Sequence, residues 1–449
     1  VTRRQVGGFL RWVDAEVLMV LSSVWLIRAR RYALVAVAVP ALALAQGDGP
    51  LSLDEAVTLG LARSLRLTSQ SLAVQAAAET VDRARELPDP KLRFGLENLP
   101  VTDSDRLRYD RDFMTMRRIG VMQEFPHGEK RDAARMRAHG EAALERAMLA
   151  RERVAVRRDT ALAWLERAYA EATREQLVAL DRQLALELDA TAPALLAGRT
   201  SAAQIYALRG MREAVHDRLI AQERMIERAR VDLERLIGIA AARPLAPLLD
   251  TTTAPLSAGA LAQELDRHPL VAAAAAQARI AAAELQRARA TGSPDWAVEL
   301  SFARREPAFS NMVSLMFQVE LPVFKAQRQD RDVAARVASL ERARALIDDA
   351  RRSAEGELRL YLADHTAAQR RVSHHRGALA ATMRERAAAA TAAYAGGKGS
   401  LAEVLEARRA ETEIALDTLA AERERAIAWG NLRFALLDAP ERAELDREE

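Results

Sequence analysis

Two hydrophobic periods alternate along this chain, and the alternation occurs twice. Near position 92, apolar residues fall at every second place, with Leu92, Phe94 and Leu96 set against Arg93, Gly95 and Glu97. The pattern returns at Trp296, Val298, Leu300 and Phe302, set against Ala297, Glu299, Ser301 and Ala303. Each run has a partner downstream. Ile119 and Val121 answer the first; Val313, Leu315, Phe317, Val319 and Leu321 answer the second, against Ser314, Met316, Gln318 and Glu320. A period of two marks a strand with one apolar face. Polar loops, Asp103 to Asp112 and Arg304 to Asn311, separate the partners, so β-hairpins are predicted over 91–125 and 295–323.

Elsewhere the period is helical and the runs are long. Between Gly128 and Ala197 the sole proline is Pro193, and none lies between Lys325 and Tyr394. A continuous helix over such a run would reach roughly 100 Å at 1.5 Å per residue. The second run predicts a coiled-coil seam through Val337, Leu340, Ile347, Ala354, Leu358, Tyr361, Ala368, Val372 and Leu379. Arg344, Arg351, His365 and His375 fall on that seam and interrupt it, which argues against a simple dry two-stranded coil. Both runs end at matching turns, Gly198-Arg199-Thr200-Ser201-Ala202-Ala203-Gln204 and Gly397-Lys398-Gly399-Ser400-Leu401-Ala402-Glu403. Gly stops one helix, and a capping box, Ser201 with Gln204 or Ser400 with Glu403, starts its antiparallel partner. The partners extend to about Ile237 and Leu437.

The landmarks recur in order. Pro90 and Pro294 are 204 residues apart, Gln123-Glu124-Phe125-Pro126 and Val319-Glu320-Leu321-Pro322 are 196 apart, and the two turns 199 apart. The chain is therefore a duplicated helix–β-hairpin–helix unit, mainly α with a small β part. Its first repeat is expected over 46–255, with a tip near 198–201. The second is expected over 256–438, with a tip near 397–400, before a charged tail at 439–449.

Composition changes the picture at the N-terminus. Arg28, Arg30 and Arg31 precede an apolar run from Ala33 to Ala45 ending Ala43-Leu44-Ala45, the order of a secretory signal peptide rather than a membrane anchor. Residues 1–45 hold six of the 66 Lys and Arg and two of the 63 Asp and Glu, leaving 60 basic and 61 acidic residues. The pI of about 9.4 is thus largely a leader effect, and a nucleic-acid partner is not expected. With no cysteine there is no disulfide, thiolate metal site, cysteine nucleophile or lipidated N-terminal cysteine, and Gln46 would be a plain mature terminus.

Each hairpin alone would suit the half-buried edge of a soluble protein, but the signal peptide and the duplication favour membrane strands with apolar residues outward. Phe94, Trp296, Val298, Leu300 and Phe302 are the candidates to face lipid. Four strands cannot close a barrel, since membrane barrels begin at about eight strands; two copies would give eight and three would give twelve.

Leu87-Pro88-Asp89-Pro90-Lys91-Leu92-Arg93-Phe94-Gly95-Leu96-Glu97-Asn98-Leu99-Pro100 and the second tip, Tyr394 to Ala407, carry a resemblance. From about Leu51 to Leu437 the chain resembles the TolC-like outer-membrane efflux proteins, and Pro-Asp-Pro with Glu-Asn-Leu-Pro is similar to their heavy-metal, CzcC-like branch. The resemblance implies a homotrimer with a 12-stranded transmembrane β-barrel continued by a periplasmic α-helical tunnel. It implies an exit duct rather than an enzyme, joined through a periplasmic adaptor to an inner-membrane RND-type transporter. The adaptor is expected at the helical tips, on Gly198, Arg199, Ser201, Gln204, Gly397, Lys398, Ser400 and Glu403. A drug-efflux or secretion duct of the same fold, or a soluble periplasmic coiled-coil scaffold, are the other readings.

No catalytic or cofactor chemistry is expected. The seven histidines are scattered, and the adjacent His374 and His375 cannot share a helical face. Met114, Met116 and Met122 could suit a soft metal, but read better as packing residues. Gly396-Gly397-Lys398-Gly399-Ser400 superficially resembles a phosphate loop, yet sits between helices without the strand such a loop needs.

Overall fold

The computed structural model describes residues 49–196, 201–257, 259, 264–265, 268–306 and 308–436. The expected leader, the charged tail, Gly198 and Arg199 lie outside the described residues. In the first repeat, α1 (Leu53–Arg63) and α2 (Leu65–Arg83) lead to β1 (Lys91–Glu97) and β2 (Met116–Phe125), then to α3 (Gly128–Leu196) and α4 (Ala202–Ile237). In the second, α5 (Pro269–Ala290) leads to β3 (Trp296–Arg304) and β4 (Met312–Val319). There follow α6 (Gln329–His374), a five-residue π turn (His375–Leu379), α7 (Ala380–Ala395) and α8 (Leu401–Arg433).

Why the first helix breaks is local. Ser64 is extended (φ −68°, ψ 111°), and its hydroxyl accepts from the Leu67 amide at 3.3 Å, so the same residue closes α1 and caps α2. By contrast α3 runs unbroken for 69 residues, about 100 Å. It begins three residues after β2, so the sheet lies at one end of this helix and the turn into α4 at the other.

The four strands form one antiparallel sheet in the order β1-β2-β3-β4. The two hairpins are joined by a β2–β3 ladder from Arg117↔Arg304 to Phe125↔Trp296, a pairing that alternation alone does not reveal. β1 and β4 are the edges.

The main core forms where α1, α3, α4 and α8 converge, around Leu51, Trp164, Leu165, Leu233, Ile237 and Phe434. Trp164 is fully buried, and its indole N–H donates to the Leu51 carbonyl at 3.1 Å. A second cluster joins α5 to α6 through Val271, Ala354 and Leu358. A third, Leu184, Leu208, Val215 and Leu405, ties α3, α4 and α8 together towards the tips.

The seam on α6 departs from the sequence reading in its first half, at Val337, Arg344 and Arg351. Ala354, Leu358, Ala368 and Val372 are buried as expected, but Ala343 and Ala350 occupy the places assigned to Arg344 and Arg351, which are exposed. Shifting one residue lets alanine meet the neighbouring helix at no desolvation cost, while Arg344 pairs with Glu341 at 2.8 Å. His365 does lie in the seam, buried, with its Nε2 2.9 Å from the Thr251 carbonyl. The expected single helix from Lys325 to Tyr394 is interrupted at the π turn, where Gly377 leaves helical geometry (φ −84°, ψ −113°). Arg376 braces this joint against Glu422 of α8 at 2.6 Å, and Arg371 pairs with Glu424 just before it.

Candidate membrane face and docking tips

Burial in the sheet is inside-out. Along β3, the apolar Trp296, Leu300 and Phe302 are exposed and Val298 is half-exposed, while Ala297, Glu299, Ser301 and Ala303 are buried. Every residue of β4 is exposed within the protomer, and Phe94 on β1 is 78% exposed. Phe125 stacks on Trp296 at 4.2 Å between ring centres, putting two aromatics at the helix-proximal end of the apolar face.

The opposite face holds an ion network. Glu299, only 5% exposed, accepts from Arg93 at 3.0 Å and from Arg118 at 3.1 Å. Arg118 also donates to Ser301 at 2.9 Å and to Glu97 at 2.8 Å, and Lys91 pairs with Glu124. Gly120 makes this convergence possible. A Cβ there would come within 2.7 Å of the Ser301 Cβ and 3.2 Å of a Glu299 oxygen, so no larger residue fits between the two arginines and their carboxylate. Alternation identified the polar face; the bridging role of Arg118 and Glu299 depends on β2–β3 pairing and was not visible in either strand alone. Met116 and Met122 lie on this same face, Met122 buried, while Met114 is in the loop.

At the sheet–helix junction, Asp295 accepts from the His127 amide at 2.7 Å and from Lys130 at 2.8 Å. One carboxylate thereby ties the start of β3 to the start of α3 across the two repeats.

The tips follow from capping chemistry. At the first, the Gln204 amide donates to Ser201 Oγ at 3.3 Å and the Ser201 amide donates to Gln204 Oε1 at 2.9 Å. At the second, Glu403 and Ser400 make the same reciprocal pair at 3.3 and 2.9 Å. Here α7 ends in a Schellman motif, with the Lys398 amide donating to Ala393 O at 2.9 Å and the Gly397 amide to Tyr394 O at 3.0 Å. Gly397 has φ +73°, a conformation that disfavours side chains, and both it and Lys398 are exposed.

Just behind the first tip, a cleft between α3, α4 and α8 is lined by Leu180, Leu184, Met211, Val215 and Leu405. Glu187 lies in its wall, accepting from Gln183 at 3.2 Å, and burial pushes its carboxyl above the usual range. Nearby, the Arg212 guanidinium, 2.8 Å from Asp181, holds that carboxyl below its usual range against a partial burial, with His216 assisting. The pair staples α3 to α4.

Among the described residues, no group of three or more His, Asp or Glu could hold a metal. His374 and His375 have ring centres 6.2 Å apart and tilted planes, so they do not converge. Nor is any described helix long and apolar enough to cross a membrane.

Residues 260–436, in the second repeat, match the sequence model of the outer membrane efflux protein family. No curated protein matches the chain significantly. Several solved structures share its fold. A membrane protein from Pseudomonas aeruginosa superposes with a TM-score of 0.73 at 20% identity, covering 86% of this chain and 93% of its own. CusC, whose structures concern folding and transmembrane channel formation, gives 0.72 at 19% identity, covering 85% and 91%. The outer membrane protein VceC from Vibrio cholerae gives 0.66 at 19%, covering 84% and 96%. At these identities the shared property is the fold, a mainly helical chain with a four-stranded antiparallel sheet. The family and these neighbours are membrane and channel proteins, not enzymes.

Proposed function

We propose that this protein is the outer-membrane exit duct of a tripartite efflux system, built from three copies. The observation that carries the reading is the inside-out sheet with two unpaired edges. Exposed edges cannot stay unpaired in lipid, because their amide and carbonyl groups would have no partners. Three copies supply twelve strands, a number within the range of outer-membrane barrels. The apolar face, Phe94, Trp296, Val298, Leu300 and Phe302, then meets lipid, and the Arg93–Glu299–Arg118 network lines the lumen. A soluble scaffold would gain nothing from displaying these residues to water. The helical hairpins extend as a periplasmic tunnel, and a periplasmic adaptor docks at the tips to link the duct to an inner-membrane RND-type pump.

The cargo in this reading is heavy-metal cations, which rests on the resemblance of residues 87–100 to the metal branch. Drug export by the same fold is the competing assignment. Deleting the gene and challenging cells with divalent metals and dyes separates the two. Sensitivity to metals alone is the expected result; sensitivity to dyes alone would transfer the protein to drug efflux.

Docking at the tips has its own test. Gly397→Trp should abolish export while leaving trimer and barrel intact, because it puts bulk at an exposed turn. Ser400→Ala should mainly weaken the cap of α8, by about 1 kcal/mol. Normal export by the Gly397 variant, or failure to reach the outer membrane, would reduce the tips to helix caps.

A further inference from the structure

Two arginines stand where the apolar face of the sheet ends. Arg117 and Arg304 are direct partners in the β2–β3 ladder, two residues beyond Ile119↔Phe302. By the alternation of their strands they share the outward face with Ile119, Val121, Leu300 and Phe302, Arg117 exposed and Arg304 half-buried. Among the described residues, the outward positions of the four strands otherwise hold only apolar side chains and Gln123, with no carboxylate. On the opposite face, by contrast, Arg93 and Arg118 converge on Glu299. Like charges set directly opposite on one face disfavour each other, so the Arg117–Arg304 pairing is favoured by an anion lying against both.

The pair lies at the end of the sheet remote from the helices. At the near end Phe125 stacks on Trp296, and α3 begins three residues later. The arginines come about 7 Å further along their strands than the last apolar row. Outside a hydrocarbon core the headgroup layer is about 5–7 Å deep on each side, so the two guanidinia reach the level of lipid headgroups. The loops support them there. The Arg117 guanidinium lies over the Tyr109 ring, 5.6 Å from its centre. Next to Arg304, Arg305 donates to the Phe113 carbonyl at 2.9 Å and lies 5.0 Å from the centre of the Phe309 ring. Phe113 and Phe309 are themselves 6.3 Å apart, so the two loops are joined across the strand ends. Tyr109, Phe113 and Phe309 are all exposed, as aromatics at a membrane interface are.

We propose that Arg117 and Arg304 together clamp a phosphate of an outer-leaflet lipid, the phosphorylated glycolipid of outer membranes, at one such site in each subunit. The proposal rests on the outer-membrane barrel put forward above. Cβ atoms of directly opposed residues are about 4.5–5.5 Å apart, close enough for two guanidinia to straddle one phosphate. Their planar forks match phosphate oxygens bidentately. A guanidinium carries several N–H donors, so contact with a loop of the same chain does not exhaust it. The acyl chains of the bound lipid run down over Phe302, Ile119 and Leu300, the face already assigned to lipid. A soluble anion gains the charge alone, whereas a lipid gains the charge and the apolar surface beside it. That adjacency selects a lipid.

The test titrates the full-length protein, purified in detergent, and follows bound lipid by native mass spectrometry. The probes are diphosphoryl lipid A, lipid A stripped of its phosphates, phosphatidylglycerol and inorganic phosphate. The expected result is saturable binding of diphosphoryl lipid A, one per subunit. Removing the phosphates from the lipid, or combining Arg117→Gln with Arg304→Gln, should weaken it about tenfold or more. Arg108→Gln, in the loop, should leave it unchanged. Equal binding of phosphate-free lipid A overturns the proposal, and so does tighter binding of phosphatidylglycerol. Displacement of lipid A by an equal concentration of inorganic phosphate would reassign the site to a soluble anion. Undiminished binding by the double variant places the phosphate elsewhere and also overturns it. The lipid comparisons use the natural chain, so they decide the matter even where the double variant does not fold. A monomer, or a protein that fractionates away from the outer membrane, defeats the barrel instead, and mass and fractionation show that without any lipid.

Discussion

Arginine in place of Leu300 is expected to remove the protein from the outer membrane. Leu300 is exposed on the apolar face of β3, between Val298 and Phe302, and pairs with Val121 and Leu315 on the flanking strands. No strand end lies close enough for a long side chain to escape easily to an interface. At the bilayer midplane such a charge costs on the order of 2–4 kcal/mol, and in a three-copy ring it is incurred in every subunit. The measurement is outer-membrane yield together with heat-modifiable migration. Ser314→Arg, on the polar face of β4, serves as the comparison and should assemble normally, because in the proposed barrel that face lines a water-filled lumen. Equal yields for the two would reverse the assignment of faces.

Trp164→Ala should produce the largest loss in the helical part. The side chain is completely buried among α1, α3, α4 and α8, and its N–H satisfies the Leu51 carbonyl. Truncating a buried tryptophan typically costs about 3–5 kcal/mol, a large part of the roughly 5–15 kcal/mol by which native proteins are stable. Here the Leu51 carbonyl also loses one of its two donors and keeps the Ala246 amide, at 2.9 Å. Trp164→Phe separates the contributions, since it keeps most of the volume and should cost roughly 1 kcal/mol more than its volume change for the missing hydrogen bond. Denaturant unfolding of the purified protein followed by helical circular dichroism checks both. A Trp164→Ala protein with an unchanged midpoint would show that this core does not hold the helices together.

The parts of the fold legible in the sequence are those fixed by local rules. Period-two alternation located all four strands, because a strand's faces are set by the pleat and not by its partner. Serine with glutamine or glutamate three residues later located both starts of α4 and α8, because a capping box is complete within four residues. What was illegible depends on contacts between distant segments. Nothing near Glu299 announces that Arg93, more than 200 residues earlier, reaches it across Gly120. Likewise His365 reads as a defect in a coiled-coil seam until the Thr251 carbonyl appears beside it. Arg344 and Arg351 satisfied the spacing of the seam, but spacing cannot choose between adjacent stripes of one helix; the alanines beside them were cheaper to bury. Trp164 is one of two aromatics, with Tyr169, in an alanine- and arginine-rich run, and only the converging helices identify them as part of the core.

The two bare edges of the sheet have a genetic consequence. In the proposed three-copy ring, a subunit able to join at β1 but not at β4 does not merely fail; it occupies a place in the ring and leaves it open. If defective and normal copies are made equally and mix freely in closed three-membered rings, only about one ring in eight is wholly normal. A lesion confined to the β4 edge should therefore be dominant over the wild-type allele. A lesion that unfolds the subunit before it meets its partners should be recessive.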